Sequence, residues 1–347
     1  MPTLTLAHSP DPDDAFMWWP ITGKIVAPTL HDPLAIPSAT AEGRAFDVST
    51  FPKVLAPACI DTGRFAFRAF PADIERLNRH AAQVGNTHPL FDITALSFRA
   101  ACDVQHLYAV TSCGSSFGDG FGPKVVARRE PLPGRERVKS ESDLRSSSVR
   151  IAIPGKRTTA FLVLAMILGD AVKDASRFVE MPFEQIIPAV ARGDVDAGLV
   201  IHEGQVLFQE AGLELLLDVG AWWKSTTGLP LPLGANAIRR DLDARFGSDS
   251  TREVVKTLHA SIMHALAHRA EAIEYTLPFA LANALKSHGQ SAVGPSTQQV
   301  DRYVAMYVND WTIDLQASGE AALRKLLGEG HRLGLCPDPS GLIVARA

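Results

Sequence analysis

Short uncharged runs recur along the chain, each closed by a polar turn and most followed by apolar residues at helical spacing. Residues 3–7 predict a strand, and Pro10 and Pro12 forbid a helix before Asp11. Asp13 or Asp14 then caps a helix whose first turn favours acid. Residues 28–68 carry seven prolines or glycines at irregular spacing, which predicts a short strand or two and a surface excursion. From there the pattern clears: a helix over 73–81 capped by Asp73, then strands over 91–97 and 108–113. Four glycines between 114 and 122 make a loop whose backbone can approach a ligand. A strand over 124–127 leaves it, and 128–150, rich in charge, serine and proline, is expected at the surface. Residues 149–154 read as a strand, with a glycine turn and a helix start at Thr158 and Thr159. A helix over 183–191 is interrupted by Pro188, and 194–201 ends in an uncharged, buried strand. Residues 229–238 carry the chain back, and Asp241 begins the C-terminal helices.

The length of 347 residues is more than one ordinary core holds and suggests two lobes. Strand and helix alternate through one lobe, the chain crosses to a second of the same kind, and then returns. That order predicts an α/β, two-lobed, type II periplasmic-binding-protein-like fold with the ligand clamped between lobes. Residues 1–122 and 235–347 form the discontinuous first lobe, and 123–234 the inserted second. With 46% hydrophobic residues, 21% charged residues and a net charge of −4, the chain is ordinary for a soluble protein. No basic block or aromatic–basic stripe points to nucleic acid. The longest apolar runs, such as 161–168, fall short of the roughly 20 residues a membrane helix needs. The N-terminus lacks a basic region and runs straight into His8 and three aspartates, so a cytoplasmic protein is expected. Cys59, Cys102, Cys113 and Cys336 are scattered, without a Cys-x-x-Cys pair, and are read as reduced.

In open α/β sheets, ligands bind at the C-terminal ends of the strands. His202 sits just past such an end, where it is either a general base with an ordinary pKa near ~6.5 or a histidine hydrogen-bonded at a strand terminus. Glu203 beside it either orients the ring or points away. His8 and Ser9 close the first strand and Ser97 another, while Ser115 and Ser116 lie in the glycine-rich loop, whose N–H groups can bind an anion. At Thr158 and Thr159 the glycine turn and helix start either bind an anion or form a plain threonine cap. Asp11, Asp13 and Asp14 can in principle hold a metal, but Asp13 and Asp14 read better as cap residues, and no metal is expected. His264 and His268 share a helix face without a third ligand, and Leu258, Ile262 and Leu266 account for its buried side. The pair reads as a solvated polar face. Val206 stands where His202-Glu203 would need a second histidine for a zinc-protease motif.

Six blocks together resemble the 1,4-dihydroxy-6-naphthoate synthase family of the futalosine route to menaquinone. They are His8-Ser-Pro-Asp-Pro-Asp-Asp-Ala-Phe-Met17, Asp73 to Asn78, Asp92 to Ser97, Gly114 to Pro123, Ile151 to Gly155 with Thr158-Thr159, and Ala197 to Glu203. They run in the family's order from residue 3 to about 240. The resemblance implies a cofactor-free carbon–carbon lyase acting on a small anionic molecule, cyclic dehypoxanthine futalosine. It would release 1,4-dihydroxy-6-naphthoate and dihydroxyacetone. The family's proton acceptor falls on His202, and its substrate contacts on Ala95, Leu96, Ser97, Thr158 and Thr159. Placement at the strand ends adds His8, Ser9, Asp11, Asp14, Ser115, Ser116 and Glu203. Residues 28–68 and 129–148 look longer than the family needs. No nucleic-acid or membrane partner is expected, and the chain is a monomer or homodimer. Two rivals share the fold: a chorismate dehydratase-like enzyme of the same pathway and a non-catalytic small-carboxylate-binding protein.

Overall fold

The computed structural model describes residues 1–28, 45–83, 89–134, 136–202, 204–288 and 294–347. Its strands, in chain order, are β1 (Thr3–His8), β2 (Lys24–Ile25), β3 (Val54–Ala56), β4 (Ala66–Pro71), β5 (Ile93–Ser97), β6 (Tyr108–Thr111), β7 (Ser116–Gly118), β8 (Lys124–Arg128), β9 (Ile151–Ile153), β10 (Phe178–Glu180), β11 (Ala197–Val200), β12 (Leu213–Asp218), β13 (Leu231–Arg239) and β14 (Val344–Ala345). The first sheet runs β14-β6-β13-β5-β1-β4, with β7 paired to β13. A second sheet runs β10-β9-β11-β8-β12, and β2 and β3 form a small ribbon.

Each main sheet is parallel at heart and takes in antiparallel strands where the chain crosses between lobes. Strand β13 lies antiparallel to β5 and β6, and β8 lies antiparallel to β11 and β12. The C-terminal ends of β1 and β5 therefore share one edge, and those of β9 and β11 share another. This is a two-lobed α/β architecture, and apolar side chains bridge the lobes beneath the cleft. Phe98, Phe117, Leu231 and Ala235 belong to the same buried cluster as Val125, Ile151, Leu162, Val163 and Trp223. Such packing joins the lobes as bodies in contact rather than as beads on a tether.

Several local expectations are corrected. The first helix, Pro12–Thr22, starts from Asp11, so Asp13 and Asp14 occupy its first turn instead of capping it; Pro12 needs no N–H there. Pro188 sits inside a continuous helix, Phe183–Arg192. It is the sixth of the ten residues, where its missing N–H costs one ladder bond, and Ile186, Ile187, Ala189 and Val190 are buried on either side of it. The glycine-rich loop contains a strand, β7, and β13 begins at Leu231, ahead of the boundary expected at 235. Segment 128–150 is not all surface: Val138, Leu144 and Val149 are buried, and the Arg128 guanidinium donates to the Val190 and Val195 carbonyls at 2.7 and 2.9 Å. Within 28–68, β3 pairs with β2 and Phe46 and Phe51 are buried, whereas 29–44 lies outside the described residues. The Asp73 cap is as expected, accepting from the N–H groups of Glu75 and Arg76 at the head of the helix Ile74–Ala81. Among the described residues, no helix is long and apolar enough to cross a membrane.

Candidate functional site

A cavity of about 110 Å³ opens where the two sheet edges meet, against the roughly 10–15 Å³ that one water needs. It therefore has room for a small organic molecule. Ser9, Asp11, Asp13 and Asp14 line it from the first lobe, Thr158, Thr159 and His202 from the second, and Asn236 from the return strand.

His202 follows β11 directly, and its backbone adopts the left-handed conformation, φ +55°. A non-glycine residue rarely takes that geometry, which costs roughly 1–2 kcal/mol and is held only where the surroundings enforce it. Here the turn swings the imidazole across the cleft to Asp11, with Nδ1 2.5 Å from Oδ2. The same carboxylate oxygen accepts from the Ser9 hydroxyl at 2.7 Å. Phe183 meets the ring edge-on at 4.6 Å between centroids. Asp11 thus orients the ring and favours one tautomer: with Nδ1 holding its proton toward the carboxylate, Nε2 is the nitrogen left able to accept one.

Charge in the cleft is tightly managed. The Asp14 carboxylate accepts from the Ser9 N–H at 2.6 Å. Burial, reinforced by Asp11 nearby, pushes Asp13 up to about 7. Burial likewise raises Asp14 well above the usual carboxylate range, with Asp13 and Asp11 adding to the effect. At the rim, burial lifts Asp73 to about 6 and Glu75 to about 7. No lysine or arginine is among the described residues lining the cavity. The lining therefore offers an anionic ligand neutral donors, backbone N–H groups among them.

The helix Thr159–Leu168 supplies them. Thr158 is its cap: the hydroxyl accepts from the Phe161 N–H at 3.2 Å and donates to the Gly155 carbonyl at 2.7 Å. The Thr159 hydroxyl accepts from the Arg99 N–H and donates to the Leu233 carbonyl at 2.6 Å. Both hydroxyls are engaged in building the cleft, so the cap reading holds for the side chains. The first-turn N–H groups of Thr159 and Ala160 lie outside the helix's own ladder and carry the positive end of its dipole. Gly155 is needed here because a Cβ would meet the Glu75 carboxyl carbon at 2.3 Å.

Ala95, Leu96 and Ser97 line the cavity from the end of β5. The Ser97 N–H donates to Asn78 at 3.0 Å, tying that strand end to the Ile74–Ala81 helix. Ser116 lines it too. Two expected contacts do not. His8, on the alternate face of β1, holds Nδ1 2.6 Å from the Ser9 carbonyl and packs on Phe279; burial lowers it to about 4, so it is neutral. Ser115 is buried outside the cavity lining, and its carbonyl accepts from the Thr312 hydroxyl. Glu203 lies outside the described residues. His264 and His268 stack on each other far down the chain's C-terminal helices, 3.9 Å between centroids.

Sequence reasoning missed Gln205, Asn236, Tyr303 and Tyr307, and read Asp13 as a cap in preference to a metal ligand. Gln205 follows the catalytic candidate by three positions, so a short helix after β11 was the one available signal. Its amide lies 2.6 Å from the Tyr307 hydroxyl. The tyrosines end the helix Thr297–Tyr307, more than ninety residues away in sequence, and nothing local marks them as part of the cleft.

Comparison with known proteins agrees with this architecture. A family model described as menaquinone biosynthesis matches residues 4–332. The 1,4-dihydroxy-6-naphthoate synthase of Thermus thermophilus is 31% identical over 346 residues, covering 99% of this chain and all of the relative. The enzyme of the same name from Streptomyces coelicolor is 34% identical over 71% of this chain and 78% of its own length. A crystal structure of an Archaeoglobus fulgidus protein superposes with a TM-score of 0.69 at 33% identity, covering 96% of this chain and 98% of that one. The alkanesulfonate-binding protein of Xanthomonas axonopodis pv. citri shares the fold alone, at a TM-score of 0.56 and 16% identity over 100% of this chain and 99% of that one. Over almost its whole length, then, the chain belongs to the menaquinone-biosynthesis family, beside the 1,4-dihydroxy-6-naphthoate synthases.

Proposed function

We propose that this protein is a cofactor-free carbon–carbon lyase that converts cyclic dehypoxanthine futalosine to 1,4-dihydroxy-6-naphthoate and dihydroxyacetone, with His202 as the general base. The observation that carries the reading is the Asp11–His202 contact across the closed cleft, 2.5 Å long and buttressed by Ser9. A binding protein needs no oriented imidazole facing its ligand. In this reading the substrate's carboxylate rests on the N–H groups of Thr159 and Ala160, and the apolar wall of Met17, Ile74, Leu96 and Leu233 receives its rings. Nε2 of His202 takes the proton that starts the elimination, and Asp11 stabilises the imidazolium that results. Closure keeps water from the reacting centre. The reading carries a cytoplasmic setting with it. Incubating purified protein with cyclic dehypoxanthine futalosine should yield naphthoate and dihydroxyacetone in equal amounts. Binding without product would contradict it and favour a carboxylate-binding protein.

A further inference from the structure

The base and the anion-binding helix start leave part of the cleft wall unexplained. Three side-chain oxygens in it, Asp11 Oδ1, Asp13 Oδ1 and Asn236 Oδ1, are buried and have no hydrogen-bond partner among the described residues. They come from three kinds of place: a helix cap, a first helical turn and a strand interior. The Asn236 amide is held in orientation by its Nδ2, which donates to the Gly114 carbonyl at 3.2 Å. A Cβ at Gly114 would stand 2.7 Å from that nitrogen, so glycine there is what lets the amide in. All three oxygens can accept, so a ligand rich in hydroxyl donors would satisfy them.

The anion-receiving end lies elsewhere on the same strand. The Thr159 hydroxyl is bonded to the Leu233 carbonyl, three residues before Asn236 on β13. At about 3.3 Å per residue, the two polar ends are separated by roughly 10 Å. Apolar side chains line the cavity between and around them, and among the described residues no lysine or arginine sits in the lining to hold a carboxylate among the aspartates.

We propose that Asp11, Asp13 and Asn236 form a subsite for a vicinal polyol, the hydroxyl-bearing three-carbon end of the substrate, and that this subsite sets which way round the substrate lies. The identity of that end rests on the lyase reading above; the polyol chemistry rests on the three acceptors. Asp13 is held near its neutral form by burial and can also donate to a hydroxyl. Seating the polyol beside Asp11 puts the bond to be broken next to His202 and leaves the aromatic acid against the Thr159 helix.

Two titrations on the intact protein test this. Erythritol, a four-carbon polyol, is titrated into wild type, Asn236→Leu and Asp13→Leu and followed by amide chemical shifts. Saturable shifts are expected in wild type, with binding at least tenfold weaker in each variant. Dissociation constants are then measured for cyclic dehypoxanthine futalosine and for 1,4-dihydroxy-6-naphthoate, which lacks the polyol. The variants should lose at least tenfold in affinity for the first and less than twofold for the second. Asp13→Leu keeps the approximate side-chain size, removes both oxygens and takes away a buried acid, so it guards against a fold lost with Asn236→Leu. The proposal is overturned if wild type ignores erythritol, if neither variant weakens it, or if naphthoate affinity falls as far as substrate affinity. Should wild type show the erythritol pattern yet neither bind nor convert the futalosine, the lyase reading falls and the polyol subsite stands.

Discussion

Asp11 serves two neighbours with one oxygen, the Ser9 hydroxyl and the His202 ring, and so couples the first strand end to the base. Asp11→Asn keeps the shape but offers an amide where a carboxylate held the Nδ1 proton, which favours the wrong tautomer. A fall in kcat of roughly 10²–10⁴ with KM changed less than about threefold is expected in steady-state assays. Asp13 carries a different consequence. Its folded value, about 7 against the ordinary 3.8, means that the folded protein holds this proton more tightly than the unfolded chain. Its contribution is therefore complete below about pH 4 and is lost as pH rises through 7. Asp13→Asn removes that loss, so its unfolding free energy, followed by thermal melts, should exceed that of wild type by more at pH 8 than at pH 5, the difference being on the order of 1–3 kcal/mol. His8 runs the other way: its folded value is about 4 against 6.5 unfolded, and it favours the fold above pH 6.5 and disfavours it as pH falls through 4. Comparing wild type with Asp13→Asn cancels His8.

Elements explain which residues could be read in advance. Uncharged runs ending in a polar residue locate β1, β5 and β11, so Ser97 and His202 at their ends were legible, as was Asp73 at a helix head. A strand end does not say which face its last side chain takes, and His8 consequently points into the helical layer and not into the cavity. The glycine-rich loop hid β7 because a three-residue strand held by its neighbour leaves no periodicity. Thr158 tests an element directly. Thr158→Ala removes the cap on the Phe161 N–H and should cost about 1 kcal/mol in thermal unfolding. Because that helix start also receives the substrate's carboxylate in our reading, KM should rise several-fold while kcat holds within about twofold.

At the scale of the whole molecule, two lobes were legible from length and element order, whereas the residues that close the cleft were not. Tyr307 belongs to a helix whose pattern shows only a buried face, and its partner Gln205 lies in the other lobe. Such pairs are set by tertiary packing across a hundred residues, which no local spacing records. Tyr307→Phe removes the hydroxyl of that pair and should loosen closure, raising KM by roughly three- to tenfold and increasing the radius of gyration of the ligand-free protein in solution scattering. The kinetic effects among these presuppose that the cleft is built around His202. Asparagine tolerates the left-handed backbone that His202 occupies, so His202→Asn preserves the turn better than alanine would. The most direct measurement is naphthoate formation from cyclic dehypoxanthine futalosine by wild type and His202→Asn, with substrate affinity measured in parallel. The account predicts turnover by wild type and a loss of at least about 10² in kcat for the variant with binding retained within about tenfold. Turnover by His202→Asn within tenfold of wild type would contradict it.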